Sequence, residues 1–160
     1  MYEAIEFMEN YFIYIWLSIM VLSITTLFIL GKSALKMFDH LDLSHVVHSE
    51  KSASGYTSKS SISRRAGASR VLHIIITDRE LVFKTNAFFA YPAKRHDLLQ
   101  IIPLNRLIDT EVIQGGLLSK LSVKFLGPGG EKKEVVLISK RNSTVKEILD
   151  KHVLKNLQAM

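Results

Sequence analysis

The chain has no cysteine in 160 residues. That excludes a disulfide scaffold, a thiolate zinc centre, an iron–sulfur cluster and a cysteine nucleophile. Enzyme signatures are absent too: there is no G-x-S-x-G, no H-E-x-x-H and no G-x-G-x-x-G. The length excludes a large multidomain enzyme and suits one small domain with an appendage. Apolar residues make up 48% and charged residues 22%, which excludes a chain disordered throughout. A third absence is local. Residues 1–31 contain no Lys or Arg, only the acids Glu3, Glu6 and Glu9.

Tyr11 to Leu30 (YFIYIWLSIMVLSITTLFIL) lacks any charge, Pro or Gly. A helix of this length spans about 30 Å, the thickness of a bilayer core. Ser18, Ser23, Thr25 and Thr26 are tolerated there, because hydroxyls bond back to helix carbonyls. Tyr11, Tyr14 and Trp16 fit an interfacial aromatic belt at one end. A cleaved signal peptide would need a positive leading region and a shorter apolar run, so the segment reads as a retained transmembrane helix.

Charge sets the expected orientation. The net +6 divides into −3 over residues 1–31 and +9 over residues 32–160, where all 21 bases meet 12 acids. Lys32 and Lys36 follow the apolar run, and the positive-inside rule places the C-terminal part in the cytoplasm. The expected localisation is the cell (inner) membrane, single-pass, with the N-terminus outside. The expected division is an anchor at 1–31, a polar, Ser-rich juxtamembrane linker at 32–53 and a cytoplasmic domain at 54–160. Residues 49–63 hold eight Ser and Thr, and residues 51–70 carry +5 with no acid. A weakly signalled edge strand is expected around Gly55 to Arg64. Phosphates on Ser60, Ser61 or Ser63 would cancel the Arg64 and Arg65 charges, although composition fits a plain linker as well.

From Arg70 onward the pattern is short strands. VLHIIIT (71–77) and Glu80 to Thr85 flank a Thr-Asp-Arg turn and predict a tight hairpin. Residues 86–99 read as a long loop. Ile101 to Ile108 and Asp109 to Gln114 read as strands, with Pro103 at an edge or bulge. Leu121 to Leu126 alternates as a half-buried strand, Gly127-Pro128-Gly129-Gly130 is a turn, and Glu134 to Ser139 is a final strand. Thr144 with Glu147 forms a capping-box pattern ahead of Val145, Ile148, Leu149, Val153 and Leu157, an amphipathic helix with Lys151 and Lys155 near its end. The expected fold is therefore a transmembrane α-helix followed by a mostly-β (α+β) barrel of six or seven antiparallel strands, one open end closed by the C-terminal helix.

These pieces carry a resemblance. LHIIITDRELVFKT (72–85), IIPLNRLIDTEV (101–112), LSVKF (121–125) and EVVLIS (134–139) resemble the bacterial pleckstrin-homology-like domains and the related GRAM domains. The resemblance implies two orthogonal sheets capped by a C-terminal helix, and lipid-headgroup or protein binding at a membrane without catalysis or cofactor. The sequence departs from the headgroup-binding pattern of eukaryotic members. It has no Lys-x-x-x-Arg-x-Arg run in the first hairpin, although Arg64, Arg65 and Arg70 come close.

Few residues offer chemistry. GGLLSK (115–120) has phosphate-loop letters without the spacing or a following helix. Asp109 and Glu111 share a strand face with no sign of a pocket. His40, His45 and His48 with Asp39 and Asp42 match no closed metal site, and His152 reads as a boundary residue of its helix. The basic residues say more. In an up-and-down meander the loops at 65–69, 86–99 and 127–131 emerge at one end. They bring Arg64, Arg65, Arg70, Lys94, Arg95, Lys132 and Lys133 near Phe88, Phe89 and Tyr91. Aromatics beside cations suit an anionic lipid surface. A protein partner, or simple core and surface roles, would use the same residues. The expected function is that of a membrane-anchored adaptor or accessory protein contacting anionic lipid headgroups or a membrane-protein partner, with no nucleic acid. The alternative is a structural subunit assembled through its transmembrane helix by Ser18, Ser23, Thr25 and Thr26.

Overall fold

The computed structural model describes residues 2–42, 44–58, 67–114 and 119–158. Helix α1 (Tyr2–Leu35) leads, long and apolar enough to cross a membrane. Its residues from Tyr11 to Leu30 are bare except for a half-covered Leu27. The hydroxyls of Ser23, Thr25 and Thr26 donate to the carbonyls of Ile19, Val21 and Leu22 at 2.7–2.8 Å, so each polar group is satisfied within the helix. The helix runs past Lys32 to Leu35 and tightens into a 3₁₀ turn at Lys36–Phe38.

Seven antiparallel strands follow: β1 (Val46–Thr57), β2 (Ala68–Thr77), β3 (Glu80–Lys84), β4 (Gln100–Pro103), β5 (Leu107–Ile113), β6 (Lys120–Leu126) and β7 (Lys132–Ile138). Their order is β4-β3-β2-β1-β7-β6-β5. β1 joins the two halves. It pairs with β2 from Val46 to Gly55 and with β7 from Ser54 to Thr57. Register shifts near Ala53, Ser52 at φ 66° and Arg70 at φ 55° bend this junction. The β2–β3 hairpin has the expected bounds, with Ile74 opposite Phe83 and Ile76 opposite Leu81. The side chain of Thr77 pins its turn, accepting from the Glu80 amide at 2.9 Å.

Leu72, Ile74, Ile76, Leu81 and Phe83 meet Leu121, Val123, Val135 and Leu137 in one core, all at 0% exposure. Ile75 and Val82, on the opposite face of the same hairpin, are buried as well. Burial on both faces accounts for the nearly unbroken apolar run in VLHIIIT. Helix α3 (Asn142–Gln158) packs on β5, on β6 and on the 3₁₀ turn Leu104–Arg106, inserting Val145 and Leu149. Asn156 donates to the carbonyls of Leu104 at 2.8 Å and Leu107 at 3.3 Å, fastening its far end.

Several expectations are corrected. Residues 86–99 are no simple loop: α2 (Ala87–Arg95) forms there, with the Asn86 side chain accepting from the Phe89 amide at 3.2 Å. Residues 46–53, read as linker, form most of β1, and β1 is an interior strand, not an edge. Its polar side chains hid it; backbone pairing on both sides holds it. The expected strand 101–108 is split by the 3₁₀ turn, which leaves β4 as a four-residue edge strand ending at Pro103. α3 starts at Asn142, two residues before Thr144. Ser139 Oγ accepts from the Arg141 amide at 2.8 Å and Asn142 Nδ2 donates to the Ser119 carbonyl at 2.6 Å, so those residues set the helix start.

Candidate binding site at the loop end of the barrel

The site begins with small residues. Ala87, Ala90 and Ala93 recur every third position of α2, which places them along one face. Ala90 and Ala93 are buried there, in one cluster with Ala34 and Phe38 from the end of α1. α1 and α2 pack directly on each other. At Gly31 the approach is so close that an added Cβ would lie 1.6 Å from the Ala87 carbonyl oxygen. Glycine is required there by contact, not by dihedral angle.

The other face of α2 carries Phe88, Phe89 and Tyr91, exposed at 39%, 39% and 38%. Phe88 and Phe89 stack edge to face, 5.1 Å between centroids. Lys94 and Arg95 occupy the last turn, where cations suit the helix dipole. The Lys32 ammonium lies 4.8 Å over the Phe28 ring, on the turn of α1 that meets α2.

Beyond α2 the chain turns through His96, whose carbonyl accepts from Thr57 Oγ1 at 3.0 Å. The Ser58 amide donates to the Glu134 carbonyl at 3.4 Å. These bonds gather the end of β1, the α2–β4 connection and the β6–β7 turn around a cavity of about 800 Å³. Asp97, Gln100, Lys124, Lys132, Lys133 and Glu134 are among its lining residues. Charges of both signs meet there. Lys124 bridges Asp109 at 3.0 Å and Glu111 at 3.6 Å across the sheet, and the hydrogen bond to Asp109 holds its pKa above the usual lysine value. Glu131 is held below the usual carboxylate range by backbone N–H groups and by Lys133 at 3.1 Å. Glu134 accepts from Ser122 Oγ at 2.5 Å.

The sequence-selected residues divide accordingly. Lys132 and Lys133 line the cavity. Phe88, Phe89, Tyr91, Lys94 and Arg95 belong to α2, which ends just before the cavity's Asp97. Arg70 is exposed at the start of β2, its amide donating to Ser54 Oγ at 2.8 Å. Arg64, Arg65, Ser60, Ser61 and Ser63 lie outside the described residues, as does most of the 115–120 segment. Among the described residues no three His, Asp or Glu side chains converge on a metal-sized site. His48 lies 3.9 Å from Glu50 on β1, and the Asp42 carboxylate caps the Ser44 amide. Sequence reasoning missed Thr57, Asp97, Gln100, Lys124 and Glu134, because nothing in the sequence marks residues of separate strands and connections that meet only through topology.

No family model matches the chain, and no curated protein matches it. Among solved structures, the DH/PH domains of PDZ-RhoGEF, in complex with GTP-γ-S-activated RhoA, are similar with a TM-score of 0.49 and 16% identity. That match covers 74% of this chain and 32% of the other, so the chain spans about a third of that protein's length. The class follows from the molecule's own topology. A seven-stranded antiparallel sheet in the order above, with a C-terminal helix over its open side, is a pleckstrin-homology-like barrel, here preceded by a long apolar helix.

Proposed function

We propose that this protein is a membrane-tethered, pleckstrin-homology-like binding module of the bacterial type. It acts as an adaptor or accessory protein at the cytoplasmic surface and contacts anionic lipid headgroups or a protein partner, without catalysis. The observation that carries the reading is the seat of α2 on α1 at Gly31. A flexible tether would leave the barrel free to face any way. A packed joint one residue past the apolar run instead holds the loop end, with its cations, beside the bilayer. Each Lys or Arg near an anionic leaflet contributes about 1 kcal/mol, and the tether raises the effective concentration of even a weak contact. Because Lys133 is engaged by Glu131, the lipid contact falls chiefly to Arg70, Lys94, Arg95 and Lys132.

The test uses the full chain in vesicles of phosphatidylcholine with and without phosphatidylglycerol. Hydrogen exchange at residues 94–100 and 131–134 is expected to slow in the anionic vesicles. High salt, or Lys94→Glu with Arg95→Glu, is expected to erase that difference. Exchange indifferent to lipid charge would sink the lipid version. Assembly as a structural subunit through α1 draws less support, since Ser23, Thr25 and Thr26 spend their hydroxyls on their own helix.

A further inference from the structure

We infer that α2 is a second membrane element: a short in-plane helix that inserts Phe88, Phe89 and Tyr91 into the headgroup–acyl boundary of the bilayer. The inference rests on the reading that α1 spans the membrane. It deepens the proposed lipid contact by assigning the aromatic face of α2 to insertion and the charges to the surface.

Three observations converge on it. The first is continuity. Burial on α1 begins at Leu27, one turn before Gly31, so the cover over α1 starts within its apolar run and not after it. α2 is therefore seated at the very end of the bare apolar surface of α1. The second is the division of α2 into two faces. Alanines at 87, 90 and 93 fill the joint, and the outer face carries three adjacent rings, each more than one-third exposed. Such a cluster facing water is costly, whereas rings at the headgroup level are favourable. The third is charge. α2 itself contains Lys94 and Arg95 and no acid, the first acid being Asp97 beyond its end, which suits an anionic leaflet. Helix-breaking Pro92 is exposed and the helix is only nine residues long, so α2 cannot cross the bilayer and can only lie on it.

Trp16, the single tryptophan, lies in α1 and serves as the internal control. The full chain is placed in vesicles containing lipids dibrominated either near the head or near the middle of the acyl chain. In the natural chain, bromolipid is expected to quench Trp16. In the Trp16→Phe, Tyr91→Trp variant the new indole is expected to be quenched most by bromine near the head, to emit at shorter wavelength than in detergent, and to resist aqueous iodide. Trp16→Phe with Phe89→Trp is expected to behave alike and guards against a local effect of either change. Indoles at 89 and 91 open to iodide and blind to bromolipid, with Trp16 quenched in the natural chain, would overturn the inference alone and leave that face free for a protein. An unquenched Trp16 would overturn the membrane-spanning reading and the inference with it.

Discussion

Phe83 is at 0% exposure opposite Ile74 in the hairpin core, packed among side chains that are themselves fully buried. Phe83→Ala is expected to cost about 3–5 kcal/mol, from lost apolar transfer and the remaining cavity; guanidinium unfolding of the full chain in detergent measures it. His73 carries a different kind of residue-scale signal. Burial lowers its pKa, with the Lys84 and Lys51 charges adding to the effect, while Nε2 contacts Ser49 Oγ at 2.8 Å. A histidine whose native pKa is lowered binds its proton more readily when unfolded. Stability is therefore full above the ordinary histidine pKa of about 6.5 and falls as pH drops below it. His152 acts with the same sign, lowered by burial and then by Lys155. Lowered carboxylates such as Asp150 also favour the native state at higher pH. Burial raises that carboxyl, but hydrogen bonds from Lys146 and Thr110 outweigh it, and its window lies further toward acid. His73→Gln is expected to flatten the upper part of the stability–pH curve and leave the acid limb in place, as read from denaturation midpoints at a series of pH values.

At the scale of elements, the α1–α2 joint makes its own prediction. Gly31→Leu would drive a side chain into the Ala87 carbonyl. It is expected to unseat α2, with faster hydrogen exchange over residues 87–95, while exchange in β2, β3 and β7 stays slow. Uniform acceleration would mean instead that the joint and the barrel unfold as one unit. The same element shows where the sequence is legible and where it is not. Strands β2, β3, β6 and β7 announce themselves, because alternating or continuous apolar residues end in strong turns such as Gly127 to Gly130. α2 does not: nine residues give too few turns for a period, and Pro92 argues against a helix. Asn86 followed by alanines at every third position was the readable trace. β1 was hidden for the opposite reason. Its Ser-rich, polar sequence has no buried face until Ala53, and strand pairing on both flanks, a property of the whole sheet, is what makes it a strand.

For the whole molecule, the strongest legible feature was the asymmetry of charge around one apolar run, and it leads to a clean experiment. With no native cysteine, every introduced thiol reports alone. Asn10→Cys lies just ahead of the run and Ser69→Cys is exposed at the start of β2, beyond the run. If the +9 side is retained in the cytoplasm, a membrane-impermeant maleimide added to intact cells is expected to label the first thiol and spare the second until the membrane is opened. The reverse pattern would invert the protein and turn its binding face outward. Labelling of both in intact cells would mean that α1 does not span. The packed joint gives this result a further consequence: with the barrel fixed to α1, the side that holds residue 69 also holds α2 and the loop-end cavity, so one pair of thiols locates every candidate ligand contact at once.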